Sequence, residues 1–225
     1  MHTDDFSTLA GRQHIALRLL RSAGILPIVT VDSVDQAHAI AEALQRGGLS
    51  SIELTLRTPV ALAAITALKR EFPTLVIGAG TVLSPAQITA AEQAGADFLV
   101  TPGVSPGMLT ALAQSSLPVV PGAATPSELL TLAEHGFHVA KLFPAAAIGG
   151  LTLLKALQGP LANFMFCPTG GINEADAAGF LAQPNVACIG GSWMVPRAWL
   201  QAGEFAKITA SAAAARAIID ARITT

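Results

Sequence analysis

The chain has 225 residues, of which 52% are hydrophobic and 12% charged, a composition typical of a compact globular protein and not of a disordered one. Thirteen basic against fifteen acidic residues give a formal net charge of −2 without a basic stripe, so nucleic acid is not an expected partner. The apolar runs are too short to span a bilayer and no signal peptide is recognised, so no membrane association and a cytoplasmic location are expected.

Helix-like and strand-like segments alternate along the chain. A helix is predicted at about residues 7–23, and residues 1–24 are expected to cap or pack on the rest of the domain. Eight short apolar segments then predict strands at 26–31, 51–56, 76–81, 98–103, 118–123, 138–143, 164–170 and 187–192, and a last helix is predicted at about 203–221. Residues that cap helix N-termini precede the intervening helices: Asp32 or Ser33, Ser84, Ser105, Thr125 and Asn173.

Eight strand-helix units in about 200 residues are typical of an α/β fold of the (β/α)8 TIM-barrel type. A doubly wound open sheet is the alternative, but it usually has fewer strands and a glycine fingerprint after the first one. No linker, charge run or low-complexity stretch divides the sequence, so residues 1–225 are expected to form a single domain with an extra N-terminal helix.

The second predicted strand carries a polar row. Because side chains alternate along a strand, Ile52, Leu54 and Leu56 share one face, while Glu53 and Arg57 share the other with Thr55. The polar row is expected to point into the barrel, where the active sites of this fold are built. An internal ion pair between Glu53 and Arg57 without chemistry is the alternative, although buried pairs stabilise a protein weakly.

Lys141 is the most informative residue of the sequence. It is one of four lysines, and it alone interrupts an apolar strand. Burial disfavours a charged ammonium, and a neutral amine can attack a carbonyl carbon. Lys141 is therefore predicted to form a Schiff base, with an internal lysine neutralised by Glu53 as the alternative.

Glycines follow the last two predicted strands, at Gly170 and Gly171 and at Gly190 and Gly191 before Ser192. Barrels often bind phosphate with the loops after strands seven and eight, where glycine lets backbone N–H groups approach the anion. A phosphate-bearing ligand is therefore predicted.

Two further strand ends carry a polar or rigid residue. Thr81 ends the third strand and offers a hydroxyl, although a capping or turn role fits it nearly as well. Pro102 lies in a rigid turn at the expected rim of the barrel.

Other chemistries have little support in the sequence. The five histidines form no metal-binding spacing, and neither a Walker loop, a Gly-x-Ser-x-Gly elbow nor a dinucleotide fingerprint occurs, so no metal and no cofactor are predicted. Cys167 and Cys188 are expected to be buried free thiols.

Five motifs, in order along nearly the whole chain, resemble the 2-keto-3-deoxy-6-phosphogluconate (KDPG) aldolase family. They are Ile52-Glu53-Leu54-Thr55-Leu56-Arg57-Thr58, Gly78-Ala79-Gly80-Thr81-Val82, Lys141-Leu142-Phe143-Pro144-Ala145, Cys167-Pro168-Thr169-Gly170-Gly171-Ile172 and Gly190-Gly191-Ser192-Trp193. The resemblance implies a class I aldolase of the Entner-Doudoroff pathway that acts on a phosphorylated keto acid, possesses a (β/α)8 barrel and forms a homotrimer. Arg57-Thr58 favours the gluconate over the galactonate type, and residues 145–148 depart from the family pattern.

The resemblance also implies roles for individual residues. Lys141 is the Schiff-base lysine and Glu53 the general acid/base, and the substrate-binding residues are Arg57, Thr81, Phe143 and Pro102. The phosphate-binding residues are Gly170, Gly171, Gly191 and Ser192. Activity on 4-hydroxy-2-oxoglutarate, a phosphosugar isomerase or epimerase on the same barrel, and a non-catalytic sugar-phosphate binder remain alternatives.

Overall fold

The computed structural model describes residues 5–223, in which strands and helices alternate. The strands are β1 Ile25–Val29, β2 Ser51–Thr55, β3 Val76–Gly80, β4 Phe98–Val100, β5 Val119–Val120, β6 Gly122–Ala123, β7 Val139–Leu142, β8 Met165–Pro168 and β9 Ile189–Gly191. The helices are α1 Leu9–Ala23, α2 Val34–Arg46, α3 Ala61–Glu71, α4 Pro85–Gln93, α5 Pro106–Gln114, α6 Pro126–Glu134, α7 Gly150–Leu157, α8 Glu174–Leu181, α9 Arg197–Ala202 and α10 Phe205–Ile223.

The strands pair in parallel, as expected when a helix connects each strand to the next. One sheet has the order β5-β4-β3-β2-β1-β9 and the other the order β6-β7-β8. Two isolated parallel bridges, between Phe166 and Val186 and between Thr169 and Gly190, connect β8 with the segment that leads into and contains β9. The predicted α/β class with alternating strands and helices is confirmed.

Each of the eight predicted strands contains observed strand residues, but the fifth is divided. Pro121 separates β5 from β6, because proline has no backbone N–H to donate to a sheet ladder. The carbonyl of Pro121 still accepts a hydrogen bond of 2.9 Å from the backbone N–H of Lys141. The interruption therefore lies directly beside the strand that carries the lysine.

The strands bury apolar side chains on both faces. One face contributes Ile52 and Leu54 to a large cluster that also contains residues from the helices. The opposite face contributes a second cluster, in which Val139 and Cys167 pack with residues of α1 such as Leu20. The predicted alternation along β2 is thus confirmed, with Ile52 and Leu54 facing the helices.

Helix α1 packs against the strands at their N-terminal ends. The buried side chain of Gln13 donates to the carbonyl of Val119 at 2.7 Å and accepts from the backbone N–H groups of His138 and Val139 at 3.0 Å each. The predicted N-terminal helix is confirmed over Leu9–Ala23, and residues 1–4 of the predicted segment lie outside the described residues. Because α1 covers this end, the opposite end of the strands is the one available for a ligand.

The predicted helix starts are confirmed by side-chain caps. Ser33, Ser84, Ser105, Thr125 and Asn173 each accept a hydrogen bond from a backbone N–H in the first turn of the following helix. The last helix begins and ends two residues later than predicted. The short helix α9 was not predicted, and none of the helices within residues 5–223 combines the length and apolarity needed to cross a membrane.

Candidate active site

A cavity of about 540 Å³ opens at the C-terminal ends of the strands, a size typical of small-molecule sites. Nine of the ten site residues predicted from the sequence line it: Glu53, Arg57, Thr81, Lys141, Phe143, Gly170, Gly171, Gly191 and Ser192. These residues come from five different strands or the loops that follow them. The parallel arrangement thus brings distant segments of the chain to one edge, which is where α/β proteins bind ligands.

The centre of the cavity holds a buried ion pair between Lys141 and Glu53. Nζ of Lys141 on β7 lies 3.3 Å from Oε1 of Glu53 on β2, and the two residues are 88 positions apart in the chain. Their side chains are 6% and 2% exposed. No further hydrogen-bond acceptor contacts this nitrogen among residues 5–223, so the amine retains donors and a lone pair for a ligand once its proton moves to the carboxylate.

Phe143 lies beside the lysine. Nζ of Lys141 is 5.4 Å from the centre of the Phe143 ring, a cation–π distance. The same ring lies close to Gly170, where a Cβ atom would approach it within 3.2 Å. Phe143 therefore forms an apolar wall between the lysine and the glycine-rich loop after β8.

Thr81, directly after β3, has an unusual backbone conformation. Among residues 5–223, Thr81 is the only non-glycine residue with a positive φ, which is 59°. For a β-branched residue this left-handed conformation is strained, and strain of this kind is concentrated at functional sites. Thr81 is a residue of the cavity wall, as is Arg57, whose guanidinium has no hydrogen-bond or ion-pair partner within the described part of the chain.

The loops after β8 and β9 form the glycine-lined wall of the cavity. Gly170 and Gly171 have φ values of 99° and 76°, which glycine adopts readily. Gly191 lies against the ring of Trp193, which leaves no room for a side chain there. The backbone N–H groups of Gly171 and Ser192 form no backbone hydrogen bond within residues 5–223, so both are available to an anionic ligand.

Pro102 is the predicted site residue that does not line the cavity. Its backbone carbonyl lies against Gly122, close enough that a Cβ atom on Gly122 would overlap it, and the neighbouring Thr101 hydroxyl accepts a hydrogen bond of 2.9 Å from the Gly122 N–H. These contacts hold the turn after β4 against Gly122 of β6. A contribution of Pro102 to substrate binding stays a prediction.

Four polar residues of the cavity wall were not predicted as site residues from the sequence: Thr30, Asp32, Thr169 and Arg197. The hydroxyl groups of Thr30 and Thr55 are 2.7 Å apart. Period-two alternation could have found Thr30 and Thr169, since they follow Ile28 and Cys167 on the inner face of their strands. No comparable pattern predicts Arg197, because it lies on the short helix α9.

The two cysteines, and the histidines among residues 5–223, do not line the cavity. Cys167 and Cys188 are free and buried beneath the cavity, as predicted, and burial raises the pKa of the Cys188 thiol well above its usual range. No group of three or more His, Cys, Asp or Glu side chains among residues 5–223 has an arrangement that could hold a metal ion.

The geometry suits covalent catalysis by an amine. A lysine buried in an apolar surrounding can transfer its proton to the adjacent carboxylate, add to a ketone and form an imine, which withdraws electrons from the neighbouring carbon–carbon bond. The Arg57 guanidinium can bind an acidic ligand group, and the free N–H groups of the glycine-lined wall can bind a second one. An α/β fold with this site defines a lysine-dependent lyase.

Comparison with known proteins agrees with this class. The sequence model of the family described as "KDPG and KHG aldolase" matches residues 17–211. A 2-dehydro-3-deoxy-phosphogluconate aldolase of Pseudomonas aeruginosa is 46% identical over 190 residues, which cover 84% of this chain and 86% of that protein. A KHG/KDPG aldolase of Escherichia coli is 41% identical over 191 residues, covering 85% of this chain and 90% of that protein.

A solved structure extends the similarity to the fold. The KDPG aldolase of Legionella pneumophila, with pyruvate captured at low pH as a covalent carbinolamine intermediate, superimposes with a TM-score of 0.86 at 40% identity and covers 88% of this chain and 97% of that one. The chain belongs to the KDPG and KHG aldolase family.

Proposed function

We propose that this protein is a class I aldolase that cleaves 2-keto-3-deoxy-6-phosphogluconate to pyruvate and glyceraldehyde 3-phosphate, the aldol step of the Entner-Doudoroff pathway. The observation that carries the proposal is the buried pair of Lys141 and Glu53, 3.3 Å apart in a cavity that also presents Arg57 and two glycine-rich loops. Relatives at 41% and 46% identity bear the name of this activity.

Imine formation begins at Lys141. Its neutral amine adds to the C2 ketone of the substrate, and the resulting carbinolamine loses water to give a protonated imine. Glu53 is the nearest carboxylate to Nζ, so it takes the ammonium proton before addition and returns a proton to the departing hydroxyl. The buried setting strengthens these charge interactions relative to bulk water.

Carbon–carbon cleavage uses the imine as an electron sink. Glu53, directly or through a water molecule, takes the proton from the C4 hydroxyl as the C3–C4 bond breaks, and the bonding electrons flow into the imine to form an enamine. Glyceraldehyde 3-phosphate leaves with a new C4 carbonyl. The same carboxyl group then returns the proton to C3, and hydrolysis of the imine releases pyruvate and restores the Lys141 amine.

The remaining residues orient the two ends of the substrate. Arg57 and the Thr81 hydroxyl bind the carboxylate next to the ketone, and the Phe143 ring covers the reacting carbons. The N–H donors of the glycine-lined wall bind the phosphate, together with the Ser192 hydroxyl. Pro102 is assigned to substrate binding by family resemblance alone.

The test is to trap the imine. Pyruvate with borohydride should attach a three-carbon adduct irreversibly to Lys141, detected by mass spectrometry of the peptides. Lys141→Arg should abolish both the adduct and pyruvate release in a lactate dehydrogenase-coupled assay, whereas Lys155→Arg, on α7, should leave both unchanged. A trapped adduct elsewhere, or cleavage that persists in Lys141→Arg, would refute the assignment. Ligand binding without pyruvate release would instead favour the non-catalytic alternative.

The pyruvate half of 4-hydroxy-2-oxoglutarate is the same as that of the phosphorylated substrate, so we propose its cleavage as a secondary activity. The Escherichia coli relative is named for both activities. The gluconate epimer is preferred over the galactonate epimer on the strength of the Arg57-Thr58 motif. Comparing kcat/KM for the three compounds tests both statements.

We propose that the strands close into a (β/α)8 barrel and that the chain is a single domain. Support comes from the two bridges between β8 and the β9 segment, and from α10, which contacts both α2 and α8. A single domain should unfold in urea in one transition, with the same midpoint by fluorescence and by circular dichroism. Two separate transitions would contradict the proposal.

A homotrimer in the cytoplasm is proposed from family resemblance. Phe6, Leu83 and Leu130 are large hydrophobic residues exposed on the isolated chain, and an interface would bury such residues. Light scattering after size exclusion should give three times the chain mass of 23.0 kDa. Cell fractionation tests the location.

A further inference from the structure

Arg197 is a second unpartnered arginine of the cavity wall. It is the first residue of α9, which follows β9 after a turn closed by a 3.1 Å hydrogen bond from the Val195 N–H to the Ser192 carbonyl. Its guanidinium has neither a hydrogen bond nor an ion pair within residues 5–223. Most other arginines of this part of the chain are engaged, for example Arg46 with Glu42 and Arg70 with Glu71.

The position of Arg197 places it on the glycine-lined side of the cavity. The turn after Ser192 folds the chain back, since the first and last α-carbons of such a turn lie within about 7 Å. Arg197 follows two residues later, and its side chain reaches the cavity that Gly170, Gly171 and Ser192 also line. Arg57, by contrast, follows β2, which is separated from β9 by β1.

The charges of the cavity match those of a substrate with two anionic ends. Besides the Lys141–Glu53 pair, the charged residues that line the cavity are two arginines and one acid, Asp32. A phosphate monoester carries a charge of about −1.5 to −2 at neutral pH, and uncharged N–H donors alone leave it uncompensated. With Arg57 assigned to the carboxylate, Arg197 is the remaining cation for the phosphate.

We propose that Arg197 is a specificity-determining residue that binds the substrate phosphate and favours phosphorylated over unphosphorylated keto acids. This inference rests on the proposed aldolase function. Arg197 takes no part in imine formation or proton transfer. Its bidentate guanidinium complements the N–H donors of the adjacent loops and offsets the repulsion between the phosphate and Asp32.

The experiment compares two substrates that differ only in the phosphate, KDPG and 2-keto-3-deoxygluconate. Arg197→Gln should lower kcat/KM for KDPG about tenfold, mainly through KM, and change that for the unphosphorylated compound less than about twofold. Inorganic phosphate should inhibit this variant more weakly than the parent protein. Arg197→Lys should restore part of the loss, because the point charge returns without the bidentate geometry.

Arg46→Gln is the matched control, since it removes the same charge at the far end of α2 and should leave both substrates unaffected. Equal losses on both substrates, or no loss on either, would overturn the proposal. The borohydride adduct of pyruvate separates this outcome from failure of the proposed function. It should form equally in Arg197→Gln and the parent protein, and its absence from the parent would refute the aldolase assignment itself.

Discussion

Gly80 faces the carboxylate of Glu53 so closely that a Cβ atom at Gly80 would overlap Oε1, Cγ and Cδ of the glutamate. The two residues lie on the paired strands β3 and β2, where Thr55 is the register partner of Gly80. The space that the missing side chain leaves is occupied by the buried acid. Gly80 thus allows Glu53 to turn inward toward Lys141.

Gly80→Ala is expected to displace the Glu53 carboxylate. A displacement of about 1 Å at a catalytic group can lower a rate about 10²-fold, so we expect kcat to fall by one to two orders of magnitude. Gly78→Ala is the matched control, because a Cβ there would overlap the Phe98 ring and leave the carboxylate alone. Both variants should lose about 1–3 kcal/mol of unfolding free energy in urea. Equal activity losses in the two variants would contradict the role of Gly80.

Glu53→Gln preserves the size of the side chain and removes its proton-transfer capacity. Turnover of KDPG should fall roughly 10²-fold or more, measured with the lactate dehydrogenase-coupled assay. Glu134→Gln, at the exposed C-terminal end of α6, removes an equal charge and should retain full activity. Near-normal turnover in Glu53→Gln would reduce Glu53 to a structural partner of Lys141.

At position 81 we expect a glycine variant to be more stable than an alanine variant, the reverse of the usual order of these two residues. Both substitutions remove the hydroxyl, but only glycine relieves the strain of a φ of 59°. We expect the free energy of unfolding of Thr81→Gly, measured in urea, to exceed that of Thr81→Ala by about 1 kcal/mol. Both substitutions should raise KM for the substrate. A more stable Thr81→Ala would show that the threonine conformation is not strained.

The two thiols should be unreactive in the folded protein. Burial raises the pKa of the Cys188 thiol, helped by the neighbouring Cys167 thiol, so Cys188 stays protonated and little thiolate forms even at pH 8. Both sulfurs are also shielded from solvent. An aromatic disulfide reagent should label neither cysteine under native conditions and both in guanidinium chloride. Rapid labelling of the native protein would contradict this placement.

Local patterns predicted much of the fold and of the site. The alternation along residues 51–57 correctly separated Ile52 and Leu54, which face the helices, from Glu53 on the opposite face. Cap residues such as Ser84 and Thr125 correctly marked helix starts. A lysine in an apolar strand was visible without any structure. These features depend on backbone periodicity and on hydrogen bonds within a few residues, and the sequence contains both directly.

Other features depend on contacts between residues that are far apart in the chain. The 3.3 Å approach of Lys141 to Glu53 depends on the parallel register of all the strands between them, and no spacing in the sequence encodes it. The strained backbone of Thr81 is held by its surroundings, against the preference of the residue itself. Arg197 lies in the cavity wall on α9, a helix too short to give a recognisable hydrophobic periodicity in the sequence. Residue types and their spacing showed which groups were available for chemistry. Packing of the whole chain brings Lys141 and Glu53 together, because contacts between distant segments arise only when the strands align.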